Sequence, residues 1–435
     1  MFSGRVIYDC LPLWGQTAAV NAASARGYRR KYGGVFRPSL VRLARNEQQS
    51  LDQLVAEQRA ALHALLRHAV AHVPFYRRLN CPVDDLSAWP ILEKATVVAE
   101  LERFISEIHD RRRLLAAYTS GTTGTPLTLR MSEASYQAEM AFRWRHKAWG
   151  GTPFLCRGAY VSGHPVVPAN QARPPFWRVD GVEKRLLCSS LHLSPQNLGA
   201  YLDALAAYGP EFIHGYPSSL YLLAQQPGAC RPKAIFTGSE TLLDFQRRAI
   251  EEAFDAPVFN WYGNTEMSAN IIQCAAGNLH ERLDYGFLEL LDDGSMVATG
   301  FNNPAMPLIR YRVGDRATRK AGACPCGCAF PLIERIEGRN EDYIRTPDGR
   351  CIGRMDHLFK NAHHVREAQI VQRQRDTIII RIVRANGYSD TDEQIVRREA
   401  RQRLGDVIHV RFEYVDTIER TATGKFRFIV SELAN

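Results

Sequence analysis

Three features are missing from this sequence of 435 residues, and each absence excludes a class of function. No stretch approaches the roughly 18 apolar residues that a membrane-spanning helix needs, so we expect no membrane span. No basic block with interleaved aromatic residues is present, which argues against nucleic acid as a partner. The pattern GxxxxGK(S/T) is also absent, so any phosphate-binding loop must be of a different type.

The N-terminus lacks the uninterrupted apolar core of a secretory signal, because Arg5, Asp9 and Pro12 interrupt it. The ten cysteines are unevenly spread, and three of them lie in residues 324–328, which read Cys-Pro-Cys-Gly-Cys. That pattern suits metal binding better than a framework of disulfides. We therefore expect a cytoplasmic protein.

The composition that remains is typical of a globular protein with more than one folding unit. The apolar content of 45% and charged content of 23% are ordinary. A single hydrophobic core stops growing at about 250–300 residues, which this chain exceeds. The net charge of +9 favours anionic ligands such as ATP or coenzyme A, but a solvated surface explains it equally well.

Apolar periodicity predicts an amphipathic helix at residues 51–73, which Pro74 ends, and helices are also predicted at 132–149, with Ser132 as N-cap, and at 390–404, with Ser389 or Asp390 as N-cap. Residues 1–50 give too little periodic signal to be assigned. Strands are predicted at 368–373, 377–383 and 407–415.

The most informative stretch is a hydroxyl-rich loop at residues 118–127, with the sequence YTSGTTGTPL. Its glycines expose backbone N–H groups, and its serine and threonines add donors without net charge, a combination that suits phosphate oxygens. A flexible linker is the commoner explanation of such runs. Apolar residues on both sides instead favour a turn between two strands that binds phosphate.

Residues 153–236 alternate short apolar runs with helical stretches, which indicates strand–helix–strand units in a layered α/β domain. Two polar turns follow predicted strands further on, at residues 238–240 (GSE) and 262–266 (YGNTE). Open α/β sheets bind ligands at the carboxyl ends of their strands. We therefore predict that these two turns line one site.

Five segments, in this order, resemble the motifs of the adenylate-forming enzymes, the superfamily of acyl-CoA synthetases, adenylation domains and luciferases. Residues 68–76 (HAVAHVPFY) and 89–94 (WPILEK) further resemble its phenylacetate–CoA ligase-like branch, whose members are often labelled CapK-like. The resemblance covers essentially the whole chain. The five motif segments are residues 118–127, 262–266, 310–315, 338–342 and 419–427.

The resemblance implies an α/β fold, with a large multi-layered domain at residues 1–338 and a small α+β lid domain at residues 339–435. It also implies that ATP and Mg²⁺ activate a carboxylic acid as an acyl-adenylate, whose acyl group then passes to coenzyme A. Residues 345–350 form a polar turn where relatives that use coenzyme A have a glycine-lined path. An amine, a hydroxyl or a carrier-protein thiol therefore stays open as the acceptor.

By the same resemblance, Tyr262 stacks on adenine, Thr265 contacts the α-phosphate and Glu266 holds magnesium. Asp315 accepts hydrogen bonds from the ribose, and the lid delivers Lys425 to the reacting phosphate. Lys425, Thr265 and Glu266 are thus the catalytic candidates. The other nucleotide-binding candidates are Thr119, Ser120, Gly121, Thr122, Thr123, Gly124, Gly238, Ser239, Glu240, Asn260, Gly263 and Arg339, and the hinge candidate is Glu341.

A second group of residues has the chemistry of a zinc site. Cys274, His280, Cys324 and Cys326 would supply three thiolates and an imidazole, a closed tetrahedral set that leaves no position for catalysis. The spacing resembles the structural zinc site of several members of the branch. Cys328 competes for the fourth position, and unliganded buried cysteines are the simpler alternative.

The acid pocket is not readable from sequence, because its walls come from distant segments; Tyr216, Trp261 and Met267 are candidates. The contrasting function is a non-catalytic zinc-containing protein that binds nucleic acid or a partner through residues 324–328. Lys425 and Glu266 favour the enzyme, since a scaffold needs neither. The oligomeric state is not predicted.

Overall fold

The structure is a computed structural model. It describes residues 7–118, 127–163, 165–194, 196–227, 230–240, 242, 244–337, 344–352, 355–359, 361–362, 364–419 and 428–433. The helices are α1 (Leu13–Tyr32), α2 (Phe36–Asn46), α3 (Leu51–His72), α4 (Pro74–Leu79), α5 (Lys94–Ala99), α6 (Glu133–Trp149), α7 (Leu198–Tyr208), α8 (Pro217–Leu223), α9 (Asp244–Phe254) and α10 (Asp390–Leu404). The strands are β1 (Leu115–Tyr118), β2 (Thr128–Met131), β3 (Gly158–Ser162), β4 (Trp177–Asp180), β5 (Arg185–Ser189), β6 (Phe212–Gly215), β7 (Ala234–Gly238), β8 (Val258–Gly263), β9 (Asn270–Gln273), β10 (Leu279–Glu281), β11 (Gly286–Leu290), β12 (Ser295–Gly300), β13 (Tyr311–Lys320), β14 (Leu332–Glu337), β15 (Ile344–Arg345), β16 (Cys351–Ile352), β17 (Val365–Gln374), β18 (Thr377–Arg384), β19 (His409–Tyr414) and β20 (Ile429–Ser431).

A twelve-stranded sheet in the order β11-β12-β13-β14-β10-β9-β8-β7-β6-β3-β5-β4 forms the centre of the fold. Strands β8, β7, β6, β3 and β5 run parallel to their neighbours within this group. The strands on either side pair antiparallel. Helices α7 and α8 connect parallel strands, so the predicted α/β class is confirmed. The parallel strands bring their carboxyl ends to one edge.

The two faces of the parallel strands carry different side chains, because successive residues of a strand point to opposite faces. Ile213 and Ile235 point to the face that α7 and α9 cover, where the core is mostly aliphatic. Phe212 and Phe236 point to the opposite face, which α2 and α6 cover. An aromatic surface therefore lies beneath α6.

Helix α6 begins where the sequence predicts, because Ser132 caps it: its Oγ accepts a hydrogen bond from the backbone N–H of Ser135 at 3.0 Å. Helix α3 is also confirmed, and it begins with a reciprocal cap between Ser50 and Gln53. It ends at His72, and Pro74 then takes the first position of α4.

The N-terminal region, which sequence periodicity left unassigned, contains α1 and α2. Helix α1 buries polar residues instead of an apolar stripe, and this explains the missing signal. The buried Gln16 Oε1 accepts a hydrogen bond from Arg178 Nε at 3.0 Å. Ser24 Oγ donates to Asp180 Oδ2 at 2.8 Å. Both partners lie on β4, so these polar contacts dock α1 on the sheet.

The C-terminal region forms a four-stranded mixed sheet in the order β19-β18-β17-β20, with α10 packed on it. The predicted helix 390–404 is confirmed to the residue, with a capping box at Ser389 and Asp392 and a positive φ of 75° at Gly405. The predicted domain boundary at 338/339 lies outside the described residues and remains a prediction. None of the helices in the described ranges combines the length and apolarity that crossing a bilayer requires.

Candidate functional site

A cavity of about 1120 Å³ lies at the carboxyl ends of the parallel strands. The turn after β7 and the turn at the end of β8 both reach it, as the sequence predicts, and β13 supplies an aspartate from the antiparallel side. Nine of the predicted site residues line this one cavity: Gly238, Ser239, Glu240, Asn260, Tyr262, Gly263, Thr265, Glu266 and Asp315.

Two of these residues contact each other directly. The Tyr262 hydroxyl donates a hydrogen bond to Asp315 Oδ2 at 2.7 Å, and both residues line the cavity. The adjacent Gly263 is required sterically, because a Cβ there would lie 2.6 Å from Trp261 Nε1. The motif thus places an aromatic face and a carboxylate side by side, an arrangement that suits a nucleoside.

Glu266 is oriented by a residue that sequence reasoning did not single out. The buried Tyr311 donates a hydrogen bond from its hydroxyl to Glu266 Oε1 at 3.1 Å. Tyr311 lies within the motif at residues 310–315, but nothing local indicates that its side chain reaches back to the strand β8 turn. The held carboxylate beside Thr265 has the chemistry to ligate a hard cation such as Mg²⁺.

The ends of β7 and β8 are also tied together. Thr237 Oγ1 donates to Asn260 Oδ1 at 3.0 Å, and the Asn260 backbone N–H donates to Gln273 Oε1 at 3.3 Å. Ser239 begins the turn after β7 with a φ of 70°, a conformation that non-glycine residues adopt rarely and that often marks functional turns.

The candidates of the hydroxyl-rich loop lie outside the described residues and remain predictions: Thr119, Ser120, Gly121, Thr122, Thr123 and Gly124. The flanks of the loop are described, and the two strands predicted on either side of it are confirmed. Strands β1 and β2 pair antiparallel, with Tyr118 opposite Thr128. Residues 115–117 of β1, which precede the loop in the sequence, line the cavity. Also outside the described residues are Arg339, Glu341 and Lys425.

The inner part of the cavity is formed by residues that sequence reasoning missed. Arg143, His146 and Lys147 of α6 line it together with His214 of β6. The available signal was a run of basic residues inside an aromatic helix, but which of them face the sheet depends on what the helix covers. Of the three residues considered for an acid pocket, Trp261 and Met267 line the cavity. Tyr216 instead neighbours Gly163.

The predicted zinc ligands form a second cluster, because neighbouring strands bring them together. Cys274 follows β9, His280 lies in β10, and Cys324 and Cys326 lie in the connection from β13 to β14. Their donor atoms all lie within 4.8 Å of one another. The Cys274 and Cys324 sulfurs are 3.6 Å apart, and Cys326 Sγ lies 3.5 Å from His280 Nε2. Tetrahedral zinc keeps neighbouring donors roughly 3.5–3.8 Å apart, so the set fits that ion.

Neighbouring groups orient two of these donors and shift their pKa values toward the forms that bind a metal. The Nδ1 of His280 lies 3.0 Å from the Phe330 carbonyl oxygen, and donation to that oxygen leaves Nε2 as the ligand atom. Burial lowers the pKa of His280 and so favours its neutral form. Burial by itself would raise the pKa of the Cys324 thiol. Hydrogen bonds that its sulfur accepts from N–H and thiol donors, Asn278 among them, have the larger effect, so the pKa of that thiol is lowered.

Cys328, the competing ligand, lies outside this cluster. Its sulfur donates to Glu47 Oε2 at 3.5 Å and lies 3.9 Å from Arg282 Nη1. Burial raises the pKa of the Cys328 thiol to about 11. Of the cysteines in residues 324–328, the structure therefore brings Cys324 and Cys326 into the donor set and leaves Cys328 in a separate contact.

This chain is similar to several known proteins. Residues 344–432 match the protein family described as the CapK C-terminal domain. The chain is 27% identical to protein CapK of Staphylococcus aureus, over 81% of each chain. It is 23% identical to a phenylacetate-coenzyme A ligase of Thermus thermophilus, over 71% of this chain and 74% of that one.

Among solved structures, a 2-hydroxyisobutyryl-CoA ligase in complex with 2-HIB-AMP and CoA resembles this chain with a TM-score of 0.56. The match covers 89% of this chain and 92% of that one, at 18% sequence identity. At this identity the likeness shows the fold. The large sheet and the small C-terminal sheet therefore belong to one known architecture.

Proposed function

Because these relatives confirm the resemblance to the adenylate-forming superfamily, in its phenylacetate–CoA ligase-like and CapK-like branch, we propose that this chain is an ATP-dependent ligase that activates a carboxylic acid. The acid and ATP form an acyl-adenylate with release of pyrophosphate. The acyl group then passes to coenzyme A or another acceptor, and AMP leaves.

The observation that carries the proposal is the convergence of three distant segments on one cavity. Residues 238–240, 262–266 and Asp315 all line it, and the hydrogen bond from Tyr262 to Asp315 joins two of the three. Separate cavities for these segments would have ruled out a common nucleotide. Their meeting supports binding of adenine against Tyr262 and of the ribose hydroxyls by Asp315.

The chemistry requires stabilisation of negative charge at the α-phosphate when the acid attacks it. Thr265 supplies a hydroxyl to that phosphate, and Glu266, held by Tyr311, is the residue that would hold Mg²⁺. Magnesium neutralises phosphate charge when it is bound. The loop at residues 119–124 and Lys425 would add donors and a cation, with Arg339 on the nucleotide and Glu341 at the hinge.

Coenzyme A is the first candidate for the acceptor, since the relative from Thermus thermophilus is named a phenylacetate-coenzyme A ligase. The polar turn at residues 346–350 joins β15 to β16, and Arg350 donates to the backbone oxygens of Leu191 and Leu404. This turn is packed against its neighbours. An amine, a hydroxyl or a carrier-protein thiol is therefore the alternative acceptor.

We assign Zn²⁺ a structural role at Cys274, His280, Cys324 and Cys326. The fit of the donor distances supports zinc, and four protein ligands leave no coordination position for a substrate. The ion would hold the β9–β10 hairpin against the β13–β14 connection. It takes no part in the adenylation step.

The test is acid-dependent exchange of pyrophosphate into ATP, measured over a panel of carboxylic acids. Glu266→Gln keeps an acceptor for the Tyr311 hydroxyl but removes the charge, so exchange should fall by about a hundredfold. Asp292→Asn, at an exposed position, is the matched control and should retain exchange. Absence of exchange with every acid, together with salt-dependent binding of nucleic acid, would instead support the zinc-containing binding protein.

A further inference from the structure

Besides the turns at the strand ends, residues of α6 and β6 line the cavity, and we call the part that they line its inner end. These residues include His146, Lys147 and His214. A molecule activated at the strand ends would extend its other end toward them.

Lys147 is the unusual member of this group. It is only 6% exposed, and aromatic rings surround its ammonium nitrogen. The ring centroids of Trp144, Phe212, Tyr160 and Phe236 lie 5.3, 5.4, 5.7 and 5.8 Å from Nζ. Aromatic faces attract a cation but carry no net charge, so they hold Lys147 in place without neutralising it.

Nearby cations have carboxylate partners, whereas Lys147 does not within the described ranges. Arg143 pairs with Glu139 at 3.2 Å, and Arg185 pairs with Asp180 at 2.6 Å. Leaving a buried cation without an anion is costly unless a ligand supplies one. Burial, with a smaller contribution from Arg143, lowers the pKa of Lys147 to about 7, so an incoming anion would stabilise its charged form.

A second buried polar group lies beside Lys147. His146 is 2% exposed, and its Nε2 has no hydrogen-bond partner in the part of the chain that the structure describes. Its ring lies 5.3 Å from Phe236 and 5.5 Å from Trp261. The imidazole and the ammonium group thus both border the ring of Phe236, His146 on the side of β8 and Lys147 on the side of β6 and β3.

We propose that the acid activated by this protein carries a second anionic oxygen group, a carboxylate or a phosphate, and that Lys147 binds this group at the inner end of the cavity. The proposal rests on the proposed function and narrows its substrate class. Lys147 acts as a specificity residue, with His146 as an additional contact. An acid with only an apolar tail would leave the buried ammonium group without an anion.

The experiment compares acids that differ only at the remote end, by isothermal titration calorimetry of the full-length protein without ATP. The aliphatic set is adipate, 5-phosphonopentanoate and hexanoate, and the aromatic pair is 4-carboxyphenylacetate and 4-methylphenylacetate. We expect one of the doubly anionic acids to bind about tenfold more tightly than its singly anionic match. The carboxylate and phosphonate members show which oxygen group fits.

Variants at position 147 test the residue. Lys147→Met keeps most of the length of the side chain without its charge and should abolish the preference for the doubly anionic acid. Lys147→Arg should retain part of it. Lys233→Met, at a residue that pairs with Glu211 on the surface, is the matched control and should retain all of it. Equal affinities within every pair, or a preference that survives in Lys147→Met, would overturn the inference.

Because binding is measured without ATP, its outcome is separate from that of the proposed function. A preference that depends on Lys147 in a protein without pyrophosphate exchange would support the anion site and contradict adenylation. Robust exchange that favours hexanoate over adipate and is indifferent to Lys147→Met would support adenylation and contradict the anion site.

Discussion

The cysteine cluster and the strand-end cavity both collect polar side chains from distant segments, but they orient them differently. In the cluster the donor atoms converge on one point, with neighbouring pairs 3.5–3.6 Å apart. In the cavity the polar groups face a space of about 1120 Å³. A closed donor set can only stabilise the fold, whereas an open one can bind a molecule and act on it. The two are linked, since Trp149 at the end of α6 lies 5.8 Å from the His280 ring.

The largest expected effect on the cavity comes from removing Lys425, the cation that the lid is predicted to deliver to it. Lys425→Ala should reduce adenylate formation by about 10²- to 10³-fold while ATP binding is largely kept, because the charge acts on the transition state. Lys233→Ala on the surface is the control. Pyrophosphate exchange and equilibrium ATP binding measure the two effects, and a fully active Lys425→Ala variant would show that the lid assignment is wrong.

Substitutions in the cysteine cluster should lower the stability of the protein and should not remove a step of its chemistry. Cys324→Ser should lower zinc content and reduce the free energy of unfolding by about 3 kcal/mol or more, since metal binding contributes directly to folding. Cys328→Ser, at the neighbouring thiol outside the donor set, should keep the zinc and cost about 1 kcal/mol or less. Metal analysis and denaturant unfolding distinguish them.

Chelation gives the complementary result for the cluster. Removing zinc from the wild-type protein should lower its unfolding temperature. If the zinc-free protein stayed fully folded but lost pyrophosphate exchange, the metal would have a chemical role and the contrast between the two regions would disappear.

A smaller effect on activity is expected from removing the buried hydroxyl of Tyr311, which orients a carboxylate that lines the cavity. Tyr311→Phe removes the hydrogen bond to Glu266, and a lost hydrogen bond to a charged group corresponds to about a tenfold fall in kcat/KM. Tyr201→Phe removes a comparable buried hydroxyl, one that donates to the Ser189 carbonyl on the far side of the sheet. Exchange assays should separate these variants, and equal losses in both would indicate a general effect on folding.

The smallest predicted effect is a pH dependence of binding at the inner end of the cavity. The pKa of Lys147 is lowered to about 7, so its ammonium form is lost as the pH rises through 7. Binding of adipate should therefore weaken by about fivefold between pH 7 and pH 8 and be accompanied by proton uptake. Calorimetry in buffers of different ionisation enthalpy measures this uptake. The charged or titratable groups near Lys147 are Arg143 and His146 of α6, Cys156, Tyr160 of β3 and Arg185 of β5.

The Lys147→Met variant is the control for this titration. It should show neither the uptake nor the change in affinity, whereas the nearby groups remain in place. A pH dependence that persists in that variant would assign the titration to another of these groups.

Local sequence signals predicted the parts of the protein that depend on near neighbours. Ser132 caps α6 through the backbone three residues away, and Ser389 and Gly405 bound α10 in the same way. The turns after β7 and β8 were found because small and polar residues follow apolar runs. These signals act over a few residues, so the chain carries them wherever it folds.

Sequence patterns did not predict the elements whose buried residues are polar, because those elements lack an apolar stripe. Helix α1 was missed because Gln16 and Ser24 make its buried contacts with β4. Lys147 was overlooked because a lysine in a helix is usually solvated. Only the four rings that the tertiary structure gathers around Nζ show that it is buried.

The sequence by itself determined which chemical groups the protein owns and the order in which they occur: a hydroxyl-rich loop, two polar turns, and three cysteines with a histidine. Only the tertiary structure decided which of them meet. It brought Cys324 and Cys326 to His280 but directed Cys328 to Glu47, and it joined Tyr262 to Asp315 across 53 residues. The reason is physical, because such contacts depend on strand order in a sheet, which is fixed by packing of the whole chain and by no local pattern.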